Sequence, residues 1–156
     1  MSITFEQATK ADIDELIRLR IEYMIADFGS VSDDERECME RQLPDYFERK
    51  LGTELIAFVA RTEDHICASA LLHVIESPAS SLLPNGYYGK VLGVYTEPEF
   101  RGQGICTRLM TNLVEYGRCK GLGRIDLGAT ADGHPVYERV GFKDKLSKYT
   151  DMSIKF

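Results

Sequence analysis

VLGVYTEPEFRGQGICTRLMTNL, residues 91–113, is the stretch that decides how the chain is read. Val91, Leu92, Val94 and Tyr95 make a buried strand, and Pro98 breaks it. Arg101-Gly102-Gln103-Gly104-Ile105-Cys106 forms a turn, and Leu109, Met110, Leu113 and Val114 then recur on one face of a helix. Glycines at 102 and 104 let the backbone approach a ligand with no Cβ in the way. The free N–H groups of the helix's first turn point at whatever sits there, so the segment reads as a cradle for an anion. It is not a P-loop, because Gly-x-x-x-x-Gly-Lys-[Ser/Thr] is absent, and it lacks the third glycine of a dinucleotide fingerprint.

Composition bounds what surrounds this stretch. A chain of 156 residues, 44% hydrophobic and 28% charged, fits one domain, 1–156, with a proper core. The N-terminal residues have neither the basic start nor the apolar run of a signal peptide, and no segment has the length to span a bilayer. A cytoplasmic location and no membrane partner are expected. The four cysteines, Cys38, Cys67, Cys106 and Cys119, form no Cys-x-x-Cys pair, so neither a metal site nor a disulfide framework is expected. Nineteen basic against twenty-five acidic residues give a net charge of −6, which disfavours nucleic acid and is compatible with a cationic amine substrate.

In chain order, residues 3–7 read as a first strand. Thr9 with Asp12 opens a helix in capping-box fashion, continued by Ile13, Leu16, Ile17, Ile21, Met24 and Phe28 and ended by Gly29-Ser30. Ser32 with Glu35 caps a second, acidic helix that runs towards Tyr46 and Phe47 and is expected to kink or split at Pro44. Residues 55–61 and 66–75 predict an antiparallel hairpin, and 77–88, with Pro78, Pro84, Asn85 and Gly86, a long loop. Beyond the cradle helix, 124–127 predicts a short strand, 134–140 a short helix and 149–156 a final strand. With no internal repeat, the expectation is one α+β domain with a mixed sheet.

Two motifs carry a resemblance. Arg101-x-x-Gly104-x-Cys106 after a hydrophobic strand resembles the acetyl-CoA pyrophosphate motif, Arg/Gln-x-x-Gly-x-Gly/Ala, of the GCN5-related N-acetyltransferase (GNAT) superfamily, with Cys106 as a departure. Residues 129–142, ATADGHPVYERVGF, resemble the superfamily's later motif, a short helix ending in Tyr-x-x-x-Gly-Phe. Two motifs in the right order are far harder to obtain by chance than either alone. The asparagine that many members carry before this helix is missing, and Thr130 stands in that region.

The resemblance implies a mixed, mostly antiparallel sheet of six to seven strands flanked by about four helices. It implies acetyl-CoA as co-substrate, no metal, and transfer of the acetyl group to a primary amine by direct attack. The acceptor, a small molecule or a protein amine, stays open, and a homodimer is possible. The alternative is a non-catalytic acyl-CoA-binding sensor or partner subunit. The implied cofactor contacts are the strand backbone at Val94, Tyr95 and Thr96 and the turn at Arg101, Gly102, Gln103, Gly104, Ile105, Cys106 and Thr107. Arg101 reads equally as an added charge and as a solvated turn residue. Tyr137 fits the general acid, since a phenol titrating near ~10 is protonated at neutral pH; its other reading is a core aromatic. The base is not identified: Glu76, His73 and Glu97 are candidates, with His134 and His65 behind them.

Overall fold

A computed structural model describes residues 2–156. The elements run β1 (Thr4–Gln7), a 3-10 turn (Lys10–Asp12), α1 (Ile13–Phe28), α2 (Asp33–Lys50), β2 (Leu55–Arg61), β3 (Ile66–Glu76), β4 (Tyr87–Thr96), a 3-10 turn (Pro98–Phe100), α3 (Ile105–Cys119), β5 (Ile125–Asp126) and α4 (His134–Val140). β1 to β5 lie side by side in chain order. The first three pairings are antiparallel and β4–β5 is parallel, as expected when a helix crosses over between two strands.

The sheet is buried on both faces, which explains why β2 and β3 read as nearly unbroken apolar runs. On β2, Leu55, Ala57 and Val59 face one layer, where they meet Leu16 and Leu19 of α1 and Leu43 and Phe47 of α2. Ile56, Phe58 and Ala60 face the other, against Ile105, Leu109, Met110 and Leu113 of α3. The α3 stripe is the one read from 105–113, and Leu109, Met110 and Leu113 are fully buried by it. Burying a side chain of this kind contributes about 1.5–3 kcal/mol.

Helix starts follow the capping chemistry in the sequence. The Asp12 carboxylate accepts from the Thr9 N–H at 2.9 Å, and Ser32 Oγ accepts from the Glu35 N–H at 3.1 Å. Gly29 stops α1 with φ 84°, where an L side chain would be strained.

Four expectations are corrected. The sheet has five strands, not six to seven. Residues 149–156 form no strand among the described residues, because alternation specifies a face but a ladder also needs a paired neighbour, and the segment pairs with none of β1 to β5. α2 is not split at Pro44 but runs through it as one helix, because Leu43 before it and Phe47 after it are both buried in the same core. β4 begins at Tyr87, so the preceding loop is shorter than 77–88.

Candidate active site

β4 is the axis of the site. It pairs with β3 along its length, but β5 meets it only at Gly89↔Ile125 and Lys90↔Asp126, so from Val91 onward its outer edge is open. The β3–β4 register shifts between Leu71↔Gly93 and Leu72↔Val91, which leaves Leu92 as the extra residue of a bulge. Two guanidinium groups fill carbonyls along this edge. Arg20 Nη1, from α1, donates to the Leu92 carbonyl at 2.8 Å, and Arg101 Nε donates to the Thr96 carbonyl at 2.8 Å. Val94, two residues before Thr96, presents its peptide groups on the same side, and these remain open to an extended partner.

α1 approaches the bulge closely because residue 93 is glycine. A Cβ there would lie 2.9 Å from Arg20 Nη1 and 3.3 Å from the Tyr23 ring. Arg20 itself lies over the Tyr23 ring, 5.5 Å from its centroid. Thus α1 presents Tyr23, Ala26 and Asp27 to the cleft beside β4.

At the other end of the cleft is the glycine turn. Gly102 (φ 75°) and Gly104 (φ 78°) both occupy the left-handed region, and a Cβ on either would meet open space, so conformation and not crowding demands glycine here. The first intrahelical bond of α3 runs from the Arg108 N–H to the Gly104 carbonyl. The N–H groups of Ile105, Cys106 and Thr107 therefore have no partner within the helix, and they carry its positive end. Arg101 and Arg108 line the same place, which suits an anion.

Tyr137 closes the wall from α4, which follows a turn held by Thr130, whose Oγ1 accepts from the Gly133 N–H and whose carbonyl accepts from the His134 N–H. Its ring makes an edge contact with Phe142, 6.2 Å between centroids. Burial, then the neighbouring Cys106 and Tyr23, pushes the phenol up to about 12, so at neutral pH it is a proton donor. The Cys106 thiol is likewise pushed up by burial, which argues against an activated thiolate at this helix start.

These pieces enclose one cleft of about 1050 Å³. Chemically it offers an anion cradle at one end, an open strand edge along its length and a protonated phenol in its wall.

The sequence model of the acetyltransferase (GNAT) family matches residues 14–142. The chain belongs to this family. A predicted acetyltransferase from Clostridium acetobutylicum, whose structure was solved with acetyl-CoA, is 27% identical, with TM-score 0.83 over 97% of this chain and 96% of that one. A GCN5-related N-acetyltransferase from Ralstonia eutropha JMP134 is 22% identical, with TM-score 0.80 over 97% and 99%. A ribosomal-protein-alanine N-acetyltransferase from Brucella melitensis biovar Abortus 2308 shares the fold at 19% identity, TM-score 0.69, over the whole of both chains. No curated protein matches the sequence.

In this GNAT chain, Val94, Tyr95, Thr96, Arg101, Gly102, Gly104, Ile105, Cys106, Thr107 and Tyr137 all line the single cleft. Gln103 does not; its side-chain amide donates back to the Glu99 carbonyl at 3.3 Å. None of the five base candidates lines it either. Glu97 is held by Arg18 Nη1 at 2.9 Å and His65 Nε2 at 2.6 Å, in a cluster behind β4. His73 and Glu76 sit opposite Lys90 and Tyr87, and Glu76 is six residues along β3 from Ala70, the partner of Val94, or roughly 20 Å at the usual rise. His134 is clamped between Asp144 and Glu138, which raise its pKa and favour the charged form.

Sequence reasoning missed Tyr23, Asp27, Arg108, Asp132 and Arg139, all of which line the cleft. Arg108 was within reach, being one turn beyond Gly104 on a helix already read as the cradle. Tyr23 and Asp27, four residues apart on α1, had no local signal, since a polar pair on one helix face usually means solvent.

Proposed function

We propose that this GNAT protein is an N-acetyltransferase that moves the acetyl group of acetyl-CoA to a primary amine. What carries the reading is that β4's open edge, the α3 cradle and the protonated Tyr137 share one cleft. Main-chain N–H groups from Gly102 to Thr107, with Arg101 and Arg108, bind the pyrophosphate, and the pantetheine arm lies along Val94, Tyr95 and Thr96 and pairs with the free Val94 peptide groups. The relative solved with acetyl-CoA supports the same co-substrate here.

The amine enters from the α1 side, past Tyr23 and Asp27, where the Asp27 carboxylate attracts its cationic form. Once neutral, its nitrogen attacks the thioester carbon: the N–C bond forms and the C–S bond breaks. Tyr137 donates its proton to the departing thiolate, and the proton lost from the nitrogen returns to the phenolate through water. The products are the acetylamide and free CoA. The net charge of −6 supports an amine acceptor over a nucleic acid, and the four free cysteines fit the reducing cytoplasm.

The reading is tested by two measurements on the same protein. Acetyl-CoA at a hundredfold excess over Kd should stabilise the fold by about 2.7 kcal/mol, and Gly104→Val, strained at φ 78° and placing its branches in the cradle, should remove that gain. A panel of small amines and peptides with free N-termini should then release CoA thiol with at least one member. Stabilisation without thiol release across the panel would make the protein an acyl-CoA-binding module instead. Failure of both would sink the cradle assignment itself.

A further inference from the structure

Glu97 is a largely buried carboxylate, its side chain 13% exposed, that the proposed acetyl transfer does not use. Both of its oxygens are taken. Arg18 Nη1 of α1 lies 2.9 Å from Oε2, and His65 Nε2, from the turn between β2 and β3, lies 2.6 Å from Oε1. The backbone is fixed as well, since the Glu97 N–H donates to the Cys67 carbonyl of β3 at 2.9 Å. Three separate parts of the fold thus meet on the residue where β4 gives way to the segment leading into the glycine turn.

His65 grips that segment at both ends. Besides Glu97, its ring makes an edge contact with Phe100, 5.9 Å between centroids. Phe100 is buried in the same core as Ile105 and Leu109 of α3, and its N–H closes the 3-10 turn on the Glu97 carbonyl at 2.9 Å. His65 is itself set by the buried Thr62, whose Oγ1 lies 3.3 Å from Nδ1 and accepts from the His65 N–H at 3.1 Å. The glycines beyond have no such hold. A Cβ on Gly102 or Gly104 would meet open space, so packing does not fix the turn at those positions.

We propose that Glu97 and His65 are positioning residues for the anion cradle: they set the direction in which the chain enters the glycine turn, and so aim the N–H groups of Ile105, Cys106 and Thr107 at the pyrophosphate of acetyl-CoA. Glycine leaves the turn free to swing. The buried stripe of α3 fixes its far end, and the Glu97–His65 pair fixes its near end. A site held in its binding geometry before the ligand arrives loses less conformational entropy on binding. A carboxylate drawn out of water gives back in desolvation much of what its ion pairs gain, so the pair acts on geometry more than on stability. The inference rests on the acetyl-CoA reading of the cradle and adds two residues, outside the cleft, that keep it aimed.

The test is calorimetric titration of the full chain with acetyl-CoA, beside urea unfolding. Glu97→Gln keeps the shape but turns an NH2 towards one of the two donors, and His65→Ala removes one donor; each should weaken acetyl-CoA binding roughly tenfold. Without ligand, the amides of Phe100, Arg101 and Arg108, hydrogen-bonded on either side of the glycines, should exchange faster in both variants. His65→Gln, whose side-chain N–H can reach Glu97, should bind more tightly than His65→Ala. Arg61→Gln, which cuts the ion pairs to Glu6 and Asp12, should lower stability and leave the affinity unchanged. The His65 side chain is 36% exposed, and its variants carry the test if Glu97→Gln does not fold. A parent that does not bind acetyl-CoA overturns the proposed function and this inference with it. Parental affinity in Glu97→Gln and His65→Ala, no recovery in His65→Gln, or an equal loss in Arg61→Gln overturns the positioning role and leaves the function standing.

Discussion

Tyr137 shows how one environment sets two protonation states at once. In the proposed mechanism a phenol pushed up to about 12 would by itself be a poor donor to a thiolate, because thiols are ordinarily the stronger acids in water. The same dry wall, however, also raises thiols, as the upward shift of Cys106 shows, so a thiolate leaving there would be a stronger base where Tyr137 becomes a weaker acid. Tyr137→Phe keeps the ring against Phe142 and removes only the proton. It should lower kcat by roughly 10² and leave acetyl-CoA affinity unchanged. Because the phenol titrates near 12, the alkaline limb expected of an ordinary tyrosine should be absent from the wild type, and both proteins should share one pH profile through the range where a free phenol would ionise. CoA release with a saturating amine, followed across pH, checks both points. Equal kcat in the two proteins would reduce Tyr137 to packing.

Among the elements, β4 is shaped from outside itself. Its bulge leaves the Leu92 carbonyl without a ladder partner, and Arg20 of α1 fills that role at 2.8 Å. Arg20→Met keeps most of the side chain's packing and orphans the carbonyl, which should cost about 1–3 kcal/mol in urea unfolding. On the proposed binding mode it should also lower kcat more than it raises KM for acetyl-CoA, because the bulge shapes the edge proposed for the thioester while the cradle on α3 is untouched. A variant with parental stability and kinetics would show that the bulge holds itself.

On the scale of the whole molecule, α1 is tied to the sheet by charge as well as by its apolar stripe. Arg18 bonds to Glu15, Glu22, Glu97 and the Ile66 carbonyl, and Glu15 accepts from the Ile66 N–H. Burial alone would raise the Glu15 carboxyl, but the bonds from Arg18 and Ile66 outweigh it and hold it below the usual range. Asp12 is lowered against the same opposition, by Thr9 and Arg61. A carboxylate whose folded pKa is depressed stabilises the fold above its unfolded pKa and loses that contribution as pH falls through the folded value. Stability should therefore decline from about pH 4 downward. Glu15→Gln should flatten that decline, as measured by urea midpoints across pH; an unchanged slope would place the acid sensitivity elsewhere.

The sequence by itself determined whatever depends on neighbours along the chain. Its turn glycines, the stripe of Leu109, Met110 and Leu113, the Ser32–Glu35 cap and the 134–140 helix were all legible, because each is a local backbone or facing preference written within a few residues. Tertiary structure decided what meets what. It brought Tyr23 and Asp27 into the cleft with Tyr137, removed Glu97, His73 and Glu76 from it, and gave Arg20 and Arg101 to the carbonyls of β4. It also left 149–156 without a ladder despite a strand's alternation. Side-chain period fixes which face is apolar, but pairing needs a second backbone at the right place, and that place is set by how the helices and sheet pack.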